Sequence, residues 1–183
     1  MTQIIPQYAK STNPDVVAVI ERNTAGRLAM VEKARAWVRE HAPESGGDCW
    51  FNGWAGDRRL VAVAGPKPTD GQWKKHGNGW APYKTNPLHK EMLAIAFKPE
   101  PVPGVGESYA GEYNRDGSQT IYSPSFFVHE GAAYFRLPGA PVADQEHSPF
   151  GSPVFDRDLW TEILTSEWYA AHEAATGQAV RPL

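Results

Sequence analysis

The chain has one cysteine, Cys49, which rules out an internal disulfide and any cysteine-rich zinc site. It also lacks an excess of positive charge, since 18 Lys and Arg stand against 21 Asp and Glu for a formal net charge of −3. A nucleic-acid binder normally draws its affinity from a basic face that neutralises phosphates. The overall balance therefore argues against nucleic acid as the partner. No apolar run approaches the ~20 residues that span a bilayer. The opening "MTQIIPQYAK" lacks the positive flank and apolar stretch of a signal peptide. The expectation is a soluble, cytoplasmic protein without membrane attachment.

What is present is a globular composition with unusual punctuation. Hydrophobic residues make up 41% and charged residues 21% of 183 positions, values near the globular average. A chain of this length buries roughly 70% of its unfolded surface in one core, so a single domain over 1–183 is expected. Proline is the deviation, with 16 residues against a usual share of ~5%. With 17 glycines besides, much of the chain must be turn and loop.

The organisation reads as a helical region over 14–42, a strand- and loop-rich region over 47–155 and a C-terminal helix over 156–176. Asn13 caps the first helix and Pro14 takes its first position, where a missing N–H costs nothing. Val17, Ile20, Thr24, Leu28, Val31 and Val38 fall at helical spacing, widened by Met30, Ala34 and Trp37. Gly26 is a weak point, and "NTAG" is able to split this region in two with Thr24 as the second cap. "CWFNGW" and "RRLVAVAG" read as strands joined through Gly56-Asp57. Asn78-Gly79 between aromatic flanks reads as a hairpin turn. "EMLAIAFKP" is a strand candidate with a short helix as its alternative, and "SFFVHEGAAYFRL" is a hairpin around Glu130-Gly131. In the last helix Asp156 is the cap, Leu159, Trp160, Ile163, Leu164 and Trp168 the buried stripe, and Gly177 the stop. This order predicts an α+β fold, a mainly antiparallel sheet of short strands with the helices on one face.

The lone cysteine is the first candidate for chemistry. Gly47-Asp48-Cys49-Trp50 resembles, over these few residues, the papain-like cysteine hydrolases, in which a Cys-Trp pair opens a helix and a histidine arrives later on a strand. That resemblance implies a triad of Cys49, His129 and either Asp144 or Asn114, with the thiolate made by the imidazole and held at a helix N-terminus. The residues that follow, "WFNGWAGD", read instead as strand and turn. Cysteine is also among the most often buried residue types, so a buried thiol is the preferred reading.

The remaining motifs are incomplete. "HEGAA" and "HEAAT" begin like a zinc-binding His-Glu-x-x-His helix, but Ala133 and Thr176 stand where the second histidine belongs. Asp144, Glu146, His147, Asp156 and Asp158 match no ion-binding loop. "GVGESYAG" lacks the preceding strand and following helix of a phosphate-binding loop. No metal and no cofactor are expected.

Aromatics are the strongest compositional signal, with Trp, Tyr and Phe at 7 each. Trp37, Trp160 and Trp168 lie on helical stripes and read as core. Trp50, Trp54, Trp73, Trp80 and Tyr83 crowd a polar, glycine-spaced region that suits either a surface platform or cross-strand pairing within a sheet. The leading expectation is a small accessory or host-modulating protein of the kind a bacteriophage encodes. It would act by binding another protein through an aromatic, loop-rich face of Trp73, Trp80, Tyr83, Tyr109, Tyr113 and Tyr122. The alternatives are a cysteine-dependent hydrolase or transferase using Cys49, His129 and Asp144, and a carbohydrate-binding module.

Overall fold

The computed structural model describes residues 8–55, 58–69, 72–105, 125–136 and 156–179. The fold is α+β, with helices and antiparallel strands. The elements are β1 (Tyr8–Ser11), α1 (Pro14–His41), β2 (Cys49–Ala55), β3 (Arg58–Val63), β4 (Trp73–His76), β5 (Gly79–Pro82), α2 (Leu88–Leu93), β6 (Ser125–His129), β7 (Ala132–Arg136), β8 (Thr161–Glu162) and α3 (Thr165–Thr176). Length alone leads to the expectation of one domain. The chain falls into two compact units, Met1–Ala25 with Pro99–Leu183 and Gly26–Lys98. Among the described residues, no helix is long and apolar enough to cross a membrane.

Helix α1 starts as its sequence dictates. Asn13 Oδ1 accepts the backbone N–H groups of Asp15 (2.9 Å) and Val16 (3.4 Å), satisfying donors that the first turn leaves open. The helix does not split at "NTAG". Thr24 turns its hydroxyl inward along the helix and donates to the carbonyl of Ile20 (2.8 Å), so it caps nothing. Gly26 is kept by packing, because a Cβ there would collide with the ring of Phe97. Of the expected stripe, Ile20, Met30, Ala34, Trp37 and Val38 are buried, but its first half is displaced. Val16, Val19, Ile20 and Asn23 are buried, whereas Leu28 is 63% exposed.

In the first unit the sheet runs β6-β7-β1-β8. The β6–β7 hairpin turns through Glu130 (φ 47°) and Gly131 (φ 74°), the two left-handed residues that match a two-residue loop to strand twist. β7 is buried on both faces. Ala133 and Phe135 join Ala9, Val16, Val19 and Ile20 on one side, and Ala132 and Tyr134 meet Trp168 and Ala171 of α3 on the other. The helices thus cover opposite faces of this sheet, where the sequence pattern placed them on one.

β1 is the element with the least sequence signal, yet it lies inside the sheet, paired with β7 and β8. Its alternation is carried by small residues, Ala9 and Ser11 inward, too weakly apolar to register as a strand. Asn23 adds a side-chain bridge, donating to the Glu100 carbonyl (2.9 Å) and accepting the Glu100 N–H (2.8 Å). That pairing explains its burial.

The C-terminal helix is shorter than its pattern suggests, beginning at Thr165 rather than Asp156. Asp156 Oδ1 accepts the Asp158 N–H in a local turn (2.9 Å). The Trp160 indole then donates to Pro103 O (2.9 Å), β8 pairs with β1, and the Ile163 N–H donates to Tyr8 O (3.0 Å). These long-range partners outcompete a helical start. Leu164, expected in the buried stripe, becomes the residue before the helix and is 75% exposed. Gly177 ends α3 at φ 71°, donating to Glu173 O (2.8 Å).

The second unit has the sheet order β2-β3-β5-β4. The later part of α1 (Met30, Ala34, Trp37, Val38) closes a core with Val61, Val63, Trp73, Met92 and Ile95. The segment read first as a strand, "EMLAIAFKP", instead lies partly in helix α2. Pro87 sets its start and Met92 is buried in this core.

Gly104 offers a test of the first unit. Its φ is +75°, and a Cβ would stand 3.0 Å from both Leu159 Cδ1 and Trp160 Cδ1. A left-handed L residue costs roughly 1–2 kcal/mol, and crowding a packed contact costs about 1–3 kcal/mol. Gly104→Ala is expected to lower the midpoint of urea denaturation clearly. An unchanged midpoint would mean that the 102–105 turn relaxes without penalty.

Candidate binding surface

The β4–β5 hairpin builds the surface around Trp80. Its two-residue turn is Gly77-Asn78, with Gly77 at φ 57°, because His76 pairs with Gly79. The expected Asn78-Gly79 turn is one residue too late, and the shift matters because it changes every cross-strand partner. With the observed register, Trp73 lies opposite Pro82 and Lys75 opposite Trp80. On its other side Trp80 pairs with Val63 of β3.

Trp80 is half-buried and packs at the margin of the second unit's core. Its indole N–H donates to Gly65 O (3.1 Å). Gly65 takes φ +81° just after β3, a conformation that favours glycine and turns the chain towards Pro66-Lys67. Lys67 Nζ then lies 5.8 Å from the Trp80 ring centroid, and Lys75 Nζ lies 4.8 Å from it. The negative face of an indole attracts an ammonium by about 0.5–1 kcal/mol at an exposed site. Both lysines are exposed.

Tyr83 follows β5 directly and is 48% exposed. Its backbone is pinned. The N–H donates to Gln72 O (2.8 Å), its carbonyl accepts the Asn86 N–H (2.9 Å), and Thr85 Oγ1 donates to Gln72 Oε1 (2.6 Å). A large ring is therefore presented from a short, braced turn. Behind it, His89 is buried, with Nδ1 3.3 Å from Pro82 O. It supports the turn rather than facing outward.

Trp73 is only 1% exposed and sits in the core against Trp37, ring centroids 6.2 Å apart. It holds up the hairpin from inside and offers no ring to a partner, which corrects its place on the expected binding face. Tyr109, Tyr113 and Tyr122 lie outside the described residues, as do the side chains of Trp50 and Trp54. Trp80 stands on β5 and Tyr83 directly after it. Lys67 and Lys75 are the residues that sequence reasoning missed. The signal for Lys75 is the hairpin register, whereas Lys67 reaches the ring from the turn after β3, which no local pattern marks.

The cysteine reading gains no geometry. Cys49 opens β2 and is half-buried at the second unit's core. The chain at this point is strand, not helix. Burial pushes the thiol pKa up and the Asp48 charge adds to that, against an opposing pull from Arg35 and Arg39. His129 belongs to the other unit, at the end of β6, with Nε2 3.9 Å from Glu130 Oε1. Asp144 and Asn114 lie outside the described residues. His172 stacks on Trp168 with centroids 4.9 Å apart, a packing role. Among the described residues, no three His, Cys, Asp or Glu side chains are grouped to hold a metal ion.

Charge is unevenly divided between the units. Gly26–Lys98 carries 12 Lys and Arg against 7 Asp and Glu, whereas the remaining residues carry 6 against 14. The formal charge of −3 therefore conceals a basic unit that contains the whole of the Trp80 surface. No family model matches the sequence, and neither a curated protein nor a solved structure is significantly similar to it.

Two outcomes follow from this placement. Trp73→Ala should cost about 3–5 kcal/mol, as for other buried large-to-small changes, while Tyr83→Ala should stay within about 0.5 kcal/mol of the parent. Equal losses in chemical denaturation would contradict the division into core and surface. For Cys49, a raised pKa leaves less thiolate at neutral pH than in an ordinary thiol, so iodoacetamide should react more slowly than with a model thiol. The sign is the same for stability, because the folded state holds the proton longer. The contribution is complete below the ordinary thiol range and is lost as pH rises through the raised value. Alkylation faster than the model thiol at neutral pH would reinstate the nucleophile.

Proposed function

We propose that the protein is an accessory factor that binds another protein through the β4–β5 hairpin face of the Gly26–Lys98 unit. The observation that carries this reading is Tyr83, a large ring held 48% exposed on a braced turn directly after β5. Tyrosine and tryptophan dominate the energetics of protein interfaces because they bring large contact area with few rotatable bonds and one polar end. Bracing the backbone at Tyr83 lowers the ordering cost of association. Carbohydrate stacking is the weaker reading, since it needs a bare ring face, and Trp80 is approached by two ammonium groups.

Site-specific photo-crosslinking in the native cell tests the proposal. Benzoylphenylalanine in place of Tyr83 should give one or a few defined protein adducts. The same group at Leu28 or Leu164, also large and exposed, should give none of them. Identical adduct patterns from all three positions would defeat the assignment of this face.

A further inference from the structure

The chemistry of the partner is written in the two lysines. An exposed lysine is ordinarily a solvated, flexible point charge. Here Lys67 and Lys75 are drawn to the same indole, from a turn and from a neighbouring strand. Among the described residues, neither is ion-paired with a carboxylate. Among the described residues of the second unit, the close carboxylate contacts run from Arg35 to Glu32 and from His41 to Glu40 and Glu91. Each ammonium is drawn to the indole by the ring's quadrupole. An anion from outside would add a charge partner to ammoniums that the ring already holds near the hairpin.

We propose that Lys67 and Lys75, organised by Trp80, bind a short acidic segment of the partner protein, with Asp or Glu carboxylates seated on the two ammonium groups. The inference rests on the hairpin being the binding face. Trp80 becomes a positioning residue: it holds the lysines and is not itself the surface the partner stacks on. Single-stranded nucleic acid fits less well. Its affinity in such sites comes from bases stacking on free aromatic faces as well as from phosphate contacts, and here the ammoniums occupy positions over the ring. The basic balance of Gly26–Lys98 supports this choice of sign.

The test uses the full chain with its lysine side chains observed by NMR. Before any ligand is added, the ε-CH2 signals of Lys67 and Lys75 should be shifted upfield by the Trp80 ring current, and Trp80→Ala should abolish the shift. A blocked peptide of alternating Glu and Asp should then perturb these two lysines before the others. Lys67→Gln with Lys75→Gln should weaken its binding about tenfold, as expected for two surface ion pairs. Raising salt from about 20 to 200 mM should weaken it as well, because the Debye length shrinks over that range. Peptide binding that ignores both substitutions, or no perturbation of either lysine, would overturn the inference. So would tighter binding of an oligothymidylate of equal charge, which would make the site one for nucleic acid. Crosslinking from position 83 separates the two levels: adducts that persist unchanged in the double Gln variant would leave the hairpin face standing and remove the acidic-segment reading alone.

Discussion

Helix α1 runs unbroken through Thr24-Ala25-Gly26, and each unit's core is built on its own part of that helix. Its first part supplies Val16, Val19 and Ile20 to one core, and its later part supplies Met30, Ala34, Trp37 and Val38 to the other. Intrinsic propensity works against continuity here, since glycine in a helix interior costs about 1 kcal/mol relative to alanine. Tertiary contact reverses that preference. Phe97 occupies the space a side chain at Gly26 would need, and the Thr24 hydroxyl is satisfied within the helix. The boundary between the units falls at Ala25 and Gly26, within the same four residues that looked like a break.

The binding surface depends on a second constraint, the register of one short hairpin. A turn at Gly77-Asn78 sends Trp73 into the core and sets Lys75 against Trp80. Trp73 and Lys75 lie two residues apart and share a face of β4, so a one-residue slip would turn both to the other face together. The hairpin is held in register by the buried Trp73 at one end and the left-handed Gly77 at the other. Stability and presentation are thus properties of the same four-residue strands. The core tryptophan gives the surface tryptophan its neighbours.

Elements with strong local signals were legible in the sequence. The Asn13-Pro14 start of α1, the Glu130-Gly131 hairpin and the Gly177 stop all rest on residues whose own backbone preferences or side-chain donors decide the matter. β1, β8 and the start of α3 were not legible. Tyr8–Ser11 has little apolar content and becomes a strand because β7 and β8 pair with it. Thr161 and Glu162 sit in a stretch with good helical spacing and are diverted by β1. Of the site, Trp80 and Tyr83 were visible as aromatics in a polar setting, while Lys75 was hidden by the turn read one residue late and Lys67 lies in a turn that no local pattern marks.

By itself the sequence determined the α+β class, the chain's punctuation into helix, short strands and helix, and the lack of a complete catalytic or metal-binding motif. These follow from periodicity, turn chemistry and residue counts, all of which act over a few neighbouring positions. Tertiary structure alone decided that the chain divides into two units, that Trp73 is core and Tyr83 surface, and that charge of opposite sign gathers in the two parts. Each of those depends on which distant segment lies alongside a residue, and no local preference carries that information. Cys49 falls between the two. Its strand context was readable from the glycines that follow it, but the burial that raises its pKa comes from a core assembled by α1, β3 and the segment after Pro87.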